Sequence, residues 1–213
     1  MFAAGWNVPP RSMAAGAIAA LLPWFAQTSL ADERVCHASG IEGGGAALWN
    51  GGTWAPLSGA ALPAGESKIL TDGESRVEVT CSDGITLTIA PGTEVNLEEL
   101  TAVAVPQAGI VLQLIEGIVG LVAPERSFRR FEIRTPLAIA SVRSTDWAVI
   151  HRDGASAVFT RAGEVVVRTL GQPVVLRQGE GIDIAASGLP GPVRQWGAPR
   201  VAELNEALGF AWR

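Results

Sequence analysis

The chain has 213 residues, 48% of them hydrophobic, with 21 acidic and 16 basic side chains, a formal net charge of −5, two cysteines and two histidines. That length supports one substantial core and is short for two independent domains, and the negative balance argues against a nucleic-acid partner. The charge is also polarised: residues 32–120 carry twelve acidic and three basic residues, whereas residues 121–213 carry nine acidic and twelve basic.

Residues 1–31 read as an export signal. Arg11 is their only charge, an apolar run extends from Met13 to Phe25, and Ser29 and Ala31 stand at −3 and −1 of a cut after Ala31. The run is too short to span a bilayer, which takes about 20 residues, and Pro23 interrupts it. The rival reading is an uncleaved anchor, which would be the chain's one membrane contact. A lipid anchor is not expected, because Glu33-Arg34-Val35 before Cys36 is not a lipoprotein box. The predicted location is the periplasm or the exterior.

Export makes the cysteines legible, since an oxidising compartment favours pairing. Cys36 and Cys81 are predicted to form one disulfide, worth up to about 4 kcal/mol by loop-closure entropy. A Cys/His metal site with His37 and His151 is the competing reading, and it lacks the paired ligand spacing of a zinc motif. No cofactor is expected.

After the cut, residues 32–53 form a Gly-rich N-terminal lead-in, flexible or hairpin-rich, with six glycines between Ser39 and Gly52. Its Gly43-Gly44-Gly45 run lacks the strand-then-helix context of a phosphate loop. Residues 54–185 read as an all-β domain, because short alternating apolar runs recur between Gly-containing turns. Predicted strands are 76–80, 85–89, 110–115, 118–122, 131–135, 137–142, 147–151, 155–160, 165–169, 173–176 and 181–184, with turns at Asp83-Gly84, Glu116-Gly117, Asp153-Gly154, Gly171 and Gly179. Many short strands suit either a coiled, β-helix-like architecture or a sandwich. A weak echo favours the coil: Ala64-Gly65-Glu66, Ala162-Gly163-Glu164 and Gln178-Gly179-Glu180 each precede an apolar strand.

The stretch from Phe131 to Ile150 is the most informative. Phe131, Ile133 and Thr135 alternate with charged Glu132 and Arg134, a strand pattern, and Pro136 marks a bend into the next strand. Arg126, Arg129, Arg130, Arg134 and Arg143 gather in and before it, as a candidate site for an acidic ligand or partner protein. Their alternative is solvated strand faces in a chain whose only lysine is Lys68. Residues 186–213 are predicted as a linker, Ser187 to Pro192, and a short helix over 200–208 opened by Pro199 and ended by Gly209. Val201, Leu204 and Leu208 share a helix face and, with Phe210 and Trp212, are expected to cover an open end of the β core. A partner-docking helix is the alternative.

These residues resemble the FecR domain of bacterial envelope sensors. Gly65-Glu66 through Thr71, Cys81 through Ile85, Leu114-Ile115-Glu116-Gly117-Ile118-Val119 and the run Thr135-Pro136-Leu137-Ala138 through Val142-Arg143-Ser144-Thr145-Asp146-Trp147 follow its order, and the likeness extends over about residues 54–184. The most specific signature is Thr135, Pro136, Val142, Arg143, Thr145, Asp146 and Trp147, with Arg143 and Asp146 expected to fix a turn. Ser144 stands where that family usually has glycine, and Trp147 where it usually has phenylalanine. The cytoplasmic anti-sigma segment, the membrane helix and the receptor-contacting domain of the signalling members are not expected. The resemblance implies a periplasmic β-rich recognition domain, a sensor component or scaffold that binds an envelope protein. It does not imply control of iron uptake.

An enzyme is not expected. There is no nucleophile elbow, zinc-protease helix or nucleotide fingerprint, and the carboxylates of Glu98-Glu99, as strand neighbours, would point apart. The runner-up function is a structural or carbohydrate-binding module, for which Trp49, Trp54, Trp147 and Trp196 are the candidate sugar-stacking residues.

Overall fold

The structure is a computed structural model and describes residues 34–65, 67–102, 109–124, 130–142 and 146–212. The predicted export signal and, among the predicted site residues, Arg126, Arg129, Arg143 and Thr145 lie outside the described residues, as does Ser144. Among the described residues no helix is long and apolar enough to cross a membrane.

The alternating runs form strands β1 (Cys36–Glu42), β2 (Ala46–Asn50), β3 (Trp54–Pro56), β4 (Ser67–Thr71), β5 (Arg76–Cys81), β6 (Thr86–Ile89) and β7 (Glu94–Asn96), a helical turn α1 (Glu98–Thr101), and the long strand β8 (Ile110–Val122). Then come β9 (Phe131–Arg134), β10 (Ile139–Val142), β11 (Asp146–Arg152), β12 (Ala155–Ala162), β13 (Glu164–Arg168), β14 (Val174–Arg177), β15 (Glu180–Ile184), β16 (Arg194–Gln195), helix α2 (Ala198–Leu208) and a closing 3-10 turn, Phe210–Trp212.

They build two layers that share β8. The first runs β1-β5-β6-β8-β11-β12-β15-β16, all antiparallel. The second runs β3-β2-β4-β7-β8-β9-β10-β13-β14, antiparallel except for the parallel pair β8 and β9. One apolar core lies between them, drawing Val77, Val79, Leu87 and Val158 from the first layer and Ile69, Leu112, Phe131 and Val167 from the second. The architecture is therefore sandwich-like. The turns that looked like a coil repeat are local: Gly65, Gly163 and Gly179 each take a positive φ in the turn before β4, β13 and β15.

Where two strands and a tight turn at Glu116-Gly117 were expected, the chain forms a single strand that kinks and changes layers. Ile110, Leu112 and Leu114 face the core before the kink, and Val119 and Leu121 after it. The parity must switch because the register against β7 jumps from Leu114 to Glu116, leaving Ile115 as an extra, outward residue. Gly117 takes φ +105°, and the Thr93 hydroxyl accepts the Ile118 N–H at 3.0 Å and donates to the Ile118 carbonyl at 3.3 Å. A β-carbon at Gly117 would sit 2.5 Å from the Thr93 Cα, so glycine is required for space as well as for conformation.

The Gly-rich lead-in is woven into both layers. β1 pairs with β5 and β2 with β4, and the glycines between β1 and β2 are pinned by a Gly45 N–H to Ser75 Oγ bond of 2.8 Å. The disulfide Cys36–Cys81 joins directly opposed residues of β1 and β5.

The C-terminal segment also differs from expectation. Residues 187–192 are laced onto β15 through Gly191 N–H to Asp183 O and an Ile184–Pro190 bridge, rather than hanging free as a linker. Helix α2 does not plug an open end of the core. It lies across the outer face of the first layer, where Leu204, Leu208 and Trp212 pack on Ile118, Ala148 and Phe159. Gly120 makes this possible, since a β-carbon there would lie 2.4 Å from Trp212 Nε1 and 2.8 Å from a Leu208 methyl. Each buried leucine contributes roughly 1.5–3 kcal/mol to the docking.

Candidate binding face

The signature turn between β9 and β10 is built by one hydroxyl. Thr135 Oγ1 accepts the N–H groups of Leu137 at 3.2 Å and Ala138 at 3.0 Å, while the Thr135 N–H donates to the Ala138 carbonyl at 2.9 Å. Pro136 needs no backbone partner and sits exposed at the tip. Thr135 Oγ1 also lies 3.0 Å from Ser156 Oγ on β12, which is 2.9 Å from Nδ1 of buried His151 on β11. The Thr-Pro turn thus ties one layer to the other. Val142 and Trp147 are core residues, and the Asp146 carboxylate accepts from Arg161 at 3.1 Å.

Of the predicted arginine site, Arg130 and Arg134 are described, and both are paired. Glu132, with its side chain only 4% exposed, binds Arg130 through one carboxylate oxygen and Arg134 through the other at 2.8 Å. A buried carboxylate stripped of such partners costs about 3–5 kcal/mol, so both arginines have a structural duty. About half of each arginine side chain remains accessible.

The four candidate tryptophans separate into two classes. Trp147 is fully buried and cannot stack on a ligand, a correction imposed by its inward position on β11. Trp196 is packed between Phe159, stacked at 4.8 Å, and the Arg200 guanidinium at 3.5 Å. Trp49 and Trp54 are cross-strand partners 5.7 Å apart on the outer face of the second layer, and Trp54 is 41% exposed.

From that pair a single cross-strand row continues over the face. Trp49 is opposite Lys68, Lys68 opposite Asn96, and Asn96 opposite Gln113. Gln113 is then opposite Arg134, Arg134 opposite Ile139, and Ile139 opposite Arg168. Directly opposed residues share a face, so these side chains all project outward. No single segment reveals the row, because it takes one residue from each of eight strands. At its far end Arg134 and Arg168 line a cavity of about 450 Å³ together with Thr135, Pro136 and Leu170.

Chemistry is less well served. Glu98 and Glu99 lie on α1 rather than on a strand, and Glu99 is engaged in accepting the Val111 N–H at 2.8 Å. Cys36 and Cys81 are bonded to each other, so neither thiolate is available to a metal. Among the described residues no group of three or more His, Cys, Asp or Glu side chains could hold a metal ion.

Residues 67–166 match the family of the FecR protein. Two solved structures of a candidate anti-sigma factor from Parabacteroides distasonis share the fold, at 23% and 22% identity with TM-scores of 0.52 and 0.51. The alignments cover 63% and 64% of this chain, and 62% and 63% of those chains, so it spans less than two thirds of their length. No curated protein matches the chain. The matched residues run from the start of β4 into β13 and include the Thr135-Pro136 turn and the β8 kink, so it is this part of the chain that is similar to the FecR family.

Proposed function

We propose that the protein is a non-catalytic FecR-like binding module of the bacterial envelope, acting in the periplasm as a sensor component or scaffold. The FecR match and the shared fold of structures described as candidate anti-sigma factors support a place in signalling. The observation that carries the binding role is the outer face of the second layer: a row of aromatic, amide and cationic side chains, interrupted by Ile139, that is half-buried to exposed where the first layer's outer face is covered by α2. Arg130 and Arg134, half accessible beside it, belong to the proposed surface, with Arg126, Arg129 and Arg143 as its sequence neighbours.

A photo-crosslinking residue at exposed Gln113, in intact cells, is expected to trap a specific envelope component. The same residue at Glu203, on the exposed side of α2, is expected to trap none. Adducts from both positions, or from neither, contradict the reading.

A further inference from the structure

We propose that this face is a track for an anionic, carboxylate-bearing glycan chain; the inference rests on the face being the binding face. The row crosses seven strand-to-strand steps, and at about 4.8 Å each it extends roughly 34 Å, the form of a site for a linear polymer rather than for a compact small molecule. One end is an aromatic platform. Trp49 and Trp54, tilted by 58° to one another, offer indole faces for the C–H faces of sugar rings while each ring N–H stays at an edge for polar contact.

The rest of the row is rich in donors and contains no carboxylate. Lys68 has no ion pair among the described residues, and Arg168 has only the Ser141 hydroxyl, at 3.4 Å, as a described partner. Asn96 has its oxygen occupied by the Glu98 N–H at 2.8 Å, so its amide presents NH2 outward. Donors of both kinds, three of them cationic in Lys68, Arg134 and Arg168, complement acceptor oxygens, and guanidinium complements carboxylate in particular. Glu94 and Glu116 are paired across β7 and β8 beside the row, on the side of the kink. Their charge would repel an anionic chain from straying toward the first layer and hold it on the line through Asn96 and Gln113. Arg134 and Arg168 at the cavity then receive one end of the chain. A protein partner would not need aromatic platform, amide row and cationic cavity to be collinear across eight strands.

The test uses the purified full chain with a fluorescently labelled oligogalacturonate and a neutral cello-oligosaccharide of equal length. The acidic probe is expected to bind, to quench tryptophan emission, and to bind at least tenfold more tightly than the neutral one, with the difference shrinking in high salt. Trp49→Ala with Trp54→Ala should weaken it tenfold or more, and Lys68→Gln and Arg168→Gln severalfold each. The last two substitutions lie outside the core, so they remain informative if the tryptophan variant fails to fold. No binding of the acidic probe, equal binding of the neutral one, or binding unchanged in Lys68→Gln and Arg168→Gln overturns the proposal. A specific crosslink at Gln113 together with no glycan binding would overturn the glycan while leaving the binding face standing, with a protein as its occupant.

Discussion

Gly117→Ala tests whether the β8 kink is the joint on which the two layers depend. A β-carbon at a left-handed position costs about 1–2 kcal/mol, offset by up to about 1 kcal/mol because alanine narrows the unfolded ensemble. At Gly117 that is only the start, since the new carbon would lie 2.5 Å from the Thr93 Cα and 2.2 Å from its hydroxyl oxygen. Backbone cannot rotate away as a flexible side chain would, so overpacking adds about 1–3 kcal/mol, and weakening the two Thr93 hydrogen bonds to Ile118 adds about 1 more. The sum is about 4 kcal/mol, a large part of the 5–15 kcal/mol that holds a typical domain together. Gly154 in the β11–β12 hairpin is the matched control: it has φ +70° with nothing within 4 Å of the added carbon, so Gly154→Ala should cost about 1 kcal/mol. In urea denaturation followed by tryptophan emission, with m near 2 kcal/mol/M, the midpoint should fall by about 2 M for Gly117→Ala and about 0.5 M for Gly154→Ala. Equal shifts would refute the steric account of the kink.

Thr135→Val and Ser156→Ala should each destabilise by about 1–3 kcal/mol, because each leaves polar groups without partners. Combined, they should show a coupling of at least about 0.5 kcal/mol, and strict additivity in denaturant melts would mean that the Thr135–Ser156 contact does not join the layers. Replacing both Cys36 and Cys81 by serine should lower stability by up to about 4 kcal/mol; an unmoved urea midpoint would show that β1 is held without the bridge. Arg200, chiefly through its hydrogen bonds, holds the Asp183 carboxyl below the ordinary carboxylate range against the opposing effect of burial. A depressed folded-state pKa gives stability that is full above the unfolded value, about 3.9, and is lost as pH falls through the folded one. Acid titration should therefore loosen α2 below about pH 4, read by the emission of Trp196 beneath Arg200. Asp183→Asn should abolish that step, and an identical acid transition in the variant would rule the pair out as its cause.

Local pattern was a sound guide where one strand's own alternation decides its state. The runs from Arg76 to Thr80, from Phe131 to Thr135 and from Ala155 to Thr160 read as strands and are strands, the second ending at Arg134, and Gly209 ends the C-terminal helix as expected, although that helix begins at Ala198, before Pro199. Local pattern failed where a partner strand supplies the reason. The Gly-rich segment before Trp54 has few strand formers, yet β1 and β2 form because β5 and β4 offer them open edges. Glu116-Gly117 carries the composition of a hairpin turn, but Thr93 from another element stands where a turn would have to close.

The sequence by itself therefore determined the class of the fold, the pairing of two cysteines in a chain that has no others, and the Thr135-Pro136 signature, since each depends on residue types and spacing within a short window. Only the tertiary structure decided which tryptophans face solvent. It also showed that Arg130 and Arg134 share the buried Glu132, that α2 covers a sheet face, and that Trp49, Lys68, Asn96, Gln113 and Arg134 lie in one line. The physical reason is strand register. Alternation along a strand tells which residues share a face, but their neighbours across the sheet are set by how separate strands align, and that alignment is fixed by kinks, bulges and long-range packing that no single segment contains.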